Sequence, residues 1–215
     1  MSTPAEHSGP RPKRPQRIIA TGGIVLFLFL FIHAAFSSHT VARQLTRGEQ
    51  APPFAVPLAL SSLNGDANVA THADDGQAGL RQACAVRGPR VLNICQLTES
   101  SPAVLALFVN SSGCSGVLGT LQQLSRSFPR VRFAAVEIRG DRTSLRKLVR
   151  SSGATFPVGY DHDGALASLY RVVSCPQINL ISPGGKIAAS PLHGLPSLAT
   201  LRTRLAALSR ETRHP

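Results

Sequence analysis

Four cysteines carry most of the chemistry this sequence offers. Cys114 stands in NSSGCSGV, residues 110–117, between the apolar run AVLALFV of residues 103–109 and the helical-looking stretch LGTLQQLSRSF. A cysteine where a buried strand runs into a helix is placed for nucleophilic sulfur chemistry, because unpaired N–H groups and the helix dipole favour the thiolate there. The same residue also fits the plainer role of a small, buried apolar side chain. A second sulfur three residues on would complete a dithiol, but that position is Val117. Cys175 stands in VVSCPQINL, directly before Pro176. Cys84 and Cys95 lie in QACAV and VLNICQL on either side of RGPR, a pattern that reads as a hairpin. In that register Cys84 faces Asn93 and Cys95 is one diagonal step away, so a small bulge lets the two bridge as a structural staple. Four cysteines permit three pairings in all.

The elements that must hold these sulfurs alternate through the second half of the chain. Strands are expected over 103–109, 131–138 (VRFAAVEI), 156–160 (FPVGY), 177–182 (QINLIS) and 187–190 (IAAS). Helices are expected over 116–128, 143–152 with Asp141 as the cap, 165–170, and 197–208. Strands alternating with helices imply parallel pairing with crossovers, and the PGGK turn adds an antiparallel edge. The first half is read as an opening strand from Ala51, a turn at Asn64-Gly65, a second strand, and then the cysteine hairpin. Asp161 and Asp163 flank His162 before Gly164, which suits turn and cap residues better than an acid-base pair. Asn110, Ser111 and Ser112 shape the loop before Cys114, with a hydroxyl near enough in sequence to reach its sulfur.

Composition narrows the setting. Of 215 residues 43% are apolar, only 5% are aromatic and none is Trp, so the core must be aliphatic with a few Phe. The net charge of +12 is spread along the chain without dense basic runs or interleaved aromatics, which argues against a nucleic-acid partner. Residues 18–36, IIATGGIVLFLFLFIHAAF, carry no formal charge and match the length that spans a bilayer as a helix. Arg11, Lys13, Arg14 and Arg17 precede this span, and the first charges after it are Arg43 and Arg47, partly offset by Glu49. That asymmetry places the N-terminus in the cytoplasm and the rest outside. A cleaved signal peptide is the rival reading, since AAFSS closes the run. Either way the cysteines are exported, where disulfides persist. The expected organisation is a disordered tail (1–17), a transmembrane anchor (18–36), a juxtamembrane linker (37–50), one α/β domain (51–209) and a short tail (210–215).

Over residues 48–208, GEQAPPFAVPLA, FVNSSGCSGV, FPVGYDHDGALASLYRV and VVSCPQINLISPGGKI fall in an order that resembles the thioredoxin-like redoxins. The narrower likeness is to the extracytoplasmic branch that groups membrane-anchored TlpA/ResA-like thiol-disulfide oxidoreductases with the alkyl-hydroperoxide reductase and thiol-specific antioxidant family. The resemblance implies a thioredoxin-like α/β fold, a central mixed sheet flanked by helices, here with an N-terminal β-hairpin extension and preceded by one transmembrane helix. It further implies a cis bond before Pro176, with Cys175 facing Cys114. That pair would be a disulfide or a dithiol doing the work of C-x-x-C, two unpaired thiols and a metal site with His193 or His162 being the alternatives. Two family features are missing. C-x-x-C is absent, and in the peroxiredoxin pattern Leu107 takes the proline position although Ser111 is in place. Arg139 and Arg171 are the candidates for a cation beside the thiol.

The expected activity is that of a thiol-disulfide oxidoreductase or peroxiredoxin-like antioxidant acting through Cys114 and Cys175, with Ser111 and Pro176 in support. No cofactor and no metal are called for. Protein thiols, disulfides or peroxide would be the substrates, and oligomeric state is left open. The alternative is a non-catalytic partner-binding module of the same fold, with all its disulfides structural.

Overall fold

The computed structural model of the chain describes residues 44–211. The expected tail, the apolar span 18–36 and residues 37–43 of the linker lie outside the described residues, as do residues 212–215. Among the described residues no helix is long and apolar enough to cross a membrane. Residues assigned to the end of the linker are packed on the domain: Leu45 is buried, and the Gly48 N–H donates to the Ile187 carbonyl at 2.8 Å.

Five strands form the main sheet. They are β3 (Ala103–Phe108), β4 (Arg132–Ile138), β5 (Val158–Asp161), β6 (Gln177–Ile181) and β7 (Leu192–His193), in the order β5-β4-β3-β6-β7. β4 runs parallel to both β3 and β5, while β6 is antiparallel to β3 and to β7, which gives the expected mixed sheet. The helices α2 (Val117–Ser127) and α3 (Arg142–Ser152) connect β3 to β4 and β4 to β5. Both faces of the sheet are covered, so β3 and β6 are buried along their whole length, β3 as an unbroken apolar run and β6 with Gln177 and Asn179 buried among apolar residues. Leu118, Leu121 and Leu124 of α2 pack with Leu145 and Val149 of α3 and with Leu201 and Leu205 of the last helix, α5 (Leu198–Glu211), against one face. Phe54, Leu92, Ile94, Leu166 and Tyr170 cover the other. Tyr170 meets Phe54 edge-on with ring centroids 5.7 Å apart, and its hydroxyl donates to Pro52 O at 2.8 Å.

Local rules account for most boundaries. Asp141 caps α3 by accepting the Ser144 N–H at 2.7 Å, and Gly153 ends that helix in the left-handed conformation. Buried Asp161 accepts from Gly164 N and Leu166 N, capping the short helix α4 (Ala165–Leu169). At Gly159 a Cβ would strike Val56, so only glycine lets β1 (Ala55–Pro57) lie across β5.

Three expectations need correction. The cysteine hairpin does not form: Ala83–Ala85 is a 3-10 turn, and β2 (Val91–Asn93) pairs with β1 before the chain enters helix α1 (Ile94–Thr98). Asn93 decides this. Its side chain caps α1 by accepting the Gln96 N–H at 3.1 Å, and its amide donates to Ala83 O and Val86 O at 2.7 and 2.8 Å. The opening hairpin is likewise reduced to one bridge, Ala55 with Asn68. Finally IAAS is not a strand. The PGGK turn does return the chain antiparallel to β6, with Ile187 bridging Ile181 and Ala188 N donating to Leu180 O at 2.8 Å, but Ile187 N is taken by Glu49 O and the edge strand is Leu192–His193.

Candidate functional site

The loop after β3 is built by one carbonyl. Ser111 O accepts the N–H groups of Cys114 and Ser115, each at 3.0 Å, and the Ser115 hydroxyl at 2.9 Å. The turn it closes delivers Cys114 two residues before the Gly116 cap of α2. Ser111 therefore shapes the loop through its backbone. No bond from its hydroxyl to the Cys114 sulfur is formed among the described residues. Val117, which stands where a C-x-x-C protein has its second thiol, is fully buried in the core beneath α2.

The partner comes from the loop that leads into β6, the strand paired beside β3. The Cys175-Pro176 peptide is cis, Pro176 is buried, and Cys175 is joined to Cys114 in a disulfide with Cα atoms 5.5 Å apart across 61 positions of sequence. The N–H of Val109 donates to Cys175 Sγ at 3.3 Å. Beside it the Ser174 hydroxyl and His193 Nδ1 are 2.9 Å apart, on the register that sets His193 opposite Gln177. His162, the other imidazole weighed as a metal ligand, pairs instead with Asp66 at 3.1 Å. No cluster of three metal-ligating side chains occurs among the described residues.

The two cations proposed for the thiol sit elsewhere. The Arg139 side chain lies over Gly164, and Arg171 pairs with Glu49 at 3.2 Å. Both adopt positive φ, which fixes the ends of β4 and α4.

A residue the sequence reading passed over is Glu137. It is 0% exposed, in the row Phe108, Glu137, Tyr160 at the end of the sheet from which the Cys114 loop emerges. Neither of its carboxylate oxygens has a hydrogen-bond partner. Burial pushes its pKa up to about 7; the N–H of Asn110 pulls it back, and Asp141 raises it again. The carboxylate lies against Gly140, where any Cβ would collide with it.

Cys84 and Cys95 are bridged, with Cα atoms 5.4 Å apart. The pairing expected from the hairpin is thus reached from different elements, the 3-10 turn and the first turn of α1. The closed loop spans 11 positions, and the chain-entropy argument assigns it about 3 kcal/mol. Cys84→Ser is expected to lower the urea midpoint accordingly without touching the Cys114 site. An unchanged midpoint would show that the bridge does not stabilise the fold.

No protein-family model matches the sequence, and no curated protein matches it. Solved structures do. A Chlorobium tepidum protein assigned as the thiol:disulfide interchange protein DsbE superposes with a TM-score of 0.59 at 19% identity, over 77% of this chain and 99% of that one. A thiol-disulfide oxidoreductase from Bacteroides fragilis gives 0.52 at 14% identity, over 73% and 98%. The structure of MTB DsbF, in mixed oxidised and reduced forms, gives 0.50 at 24% identity, over 55% and 88%. At these identities the likeness establishes the fold: a mixed α/β, thioredoxin-like domain carrying two disulfides.

Proposed function

We propose that this chain is a membrane-anchored, extracytoplasmic thiol-disulfide oxidoreductase whose redox couple is Cys114 and Cys175. The observation that carries the reading is the disulfide itself. It joins the residue before a cis-proline to the cysteine of the loop that leads into α2, in a thioredoxin-like domain. Two sulfurs held there by separate elements can exchange with a partner's thiols or disulfide and still reclose, which is what C-x-x-C achieves within one helix turn. The solved relatives named as disulfide interchange proteins and oxidoreductases support the same chemistry. Peroxide reduction is less well supported, since Arg139 and Arg171 are engaged away from the sulfurs and Leu107 is a buried strand residue.

The test is equilibration of the purified chain in glutathione buffers of graded potential, with each cysteine mapped after alkylation. Cys114 and Cys175 are expected to open and reclose together at a potential well above that of Cys84 and Cys95, because the Val109 N–H on Cys175 Sγ stabilises the thiolate, and a stabilised reduced form raises the potential. A Cys114–Cys175 bond as resistant to reduction as the other would favour the partner-binding module.

The anchor is part of the proposal. The charge asymmetry around residues 18–36 leads to the expectation that a C-terminal alkaline phosphatase fusion is active and that protease added to spheroplasts removes the domain. Protection from protease would reverse the orientation.

A further inference from the structure

The two sulfurs of the exchanging pair are not equivalent. Cys114 is buried at 7% exposure, whereas Cys175 is only partly buried, at the margin of the core that includes Val117 and Leu118. The Val109 N–H is aimed at Cys175 Sγ, a contact that favours the thiolate of Cys175 over its thiol. Among the described residues no N–H donates to the Cys114 sulfur. Two N–H groups at the start of α2 are engaged by backbone carbonyls, Val117 N with Cys114 O at 3.2 Å and Leu118 N with Ser115 O at 3.3 Å.

The surface around the bond points the same way. Large apolar side chains left open to solvent gather beside Cys175: Val109, whose amide holds the sulfur, is 37% exposed, and Val173, two residues ahead, is 59% exposed. Leu195, 46% exposed, reaches over Gly116, with its Cδ2 3.7 Å from where a Cβ would stand. The segment bearing Leu195 is tied to the Cys175 side by the Ser174 to His193 contact. An extended apolar stretch of a partner protein laid on these three residues has a sulfur between them to meet.

We propose that Cys175, and not Cys114, is the sulfur that attacks the partner, with Cys114 as the buried resolving thiol. The proposal rests on the redox reading above and reverses the roles that the sequence position of Cys114 suggests. In the reduced protein the Cys175 thiolate attacks one sulfur of the partner's disulfide. A Cys175 to partner bond forms, the partner's S–S bond breaks, and its other sulfur leaves as a thiolate. Cys114 then gives up its proton and attacks Cys175 Sγ, which breaks the mixed disulfide and releases the partner's second sulfur to take up a proton. The partner has gained two electrons and two protons, and the Cys114–Cys175 bond has been restored. A dithiol donor returns the pair to the reduced state.

The experiment uses the full chain, reduced with dithiothreitol and freed of it. Limiting iodoacetamide at pH 7 is expected to label Cys175 about tenfold faster than Cys114, as read by peptide mapping. With glutathione disulfide as probe, Cys114→Ser should accumulate a stable adduct on Cys175, while Cys175→Ser should form its adduct on Cys114 about tenfold more slowly. Faster labelling of Cys114, or faster adduct formation in Cys175→Ser, overturns the assignment but leaves the redox reading intact. A wild-type pair that never exchanges with glutathione overturns both. The labelling order in the wild type decides the matter even if a serine variant fails to fold.

Discussion

Turnover in dithiothreitol-driven insulin reduction is expected to fall by about a hundredfold or more when either Cys114 or Cys175 is replaced by serine, and no further when both are, because residues acting as a unit do not contribute additively. The reason is stoichiometric. A single remaining thiol can form a mixed disulfide but cannot release the partner, so each molecule stops after one encounter. The same variants should also be less stable, since the bond closes a span of 61 residues for which chain entropy suggests about 4 kcal/mol. Loss of stability alone does not explain loss of turnover, and Cys84→Ser provides the control: it lowers stability and keeps full turnover. Should Cys114→Ser retain wild-type rates on folded protein, the pair is a structural bond and the domain a binding module.

Local signals made much of this fold legible before any coordinates. The span from β3 to α3 was readable because each piece announces itself: an apolar run, a 3.6-residue stripe in LGTLQQLSRSF, and a cap at Asp141 whose bond to Ser144 is present. The region around Cys84 and Cys95 was misread for a physical reason. Two short apolar runs around RGPR fit a hairpin equally well, and what selects the 3-10 turn and helix is a side chain, Asn93, satisfying carbonyls up to ten positions upstream. The edge strand was misplaced because Ile187 bonds to residues near 49, a long-range pairing with no trace in IAAS itself. The pairing of Cys114 with Cys175 was available only through resemblance, since the sheet that brings them together is not encoded near either.

Glu137 was hidden for the opposite reason. In VRFAAVEI it follows a run buried on both faces, so no alternation marks its side as inward. Its consequence is measurable as a pH dependence. Burial holds Glu137 at about 7, against an ordinary 4.5, and burial together with Asp163 holds Asp161 at about 7, against 3.8. The folded chain therefore binds more protons than the unfolded chain between about pH 4 and 7, and its stability falls as pH rises through that window and levels off above it. Asp141 acts in the other sense, because the Ser144 N–H lowers its pKa, but its contribution is lost only on going more acidic than the window. For Glu137 alone the shift corresponds to about 3 kcal/mol at pH 8. Glu137→Gln removes the charge and keeps the shape, although the amide inherits a site without hydrogen-bond partners. Urea unfolding at pH 8 is expected to find the variant more stable than wild type by about 2 kcal/mol, with the two within about half a kcal/mol of each other at pH 5. A difference of equal size at both pH values would mean that the carboxyl is not held protonated by the fold, and that a donor reaches it in solution. The Asn110 N–H is the group placed to do so.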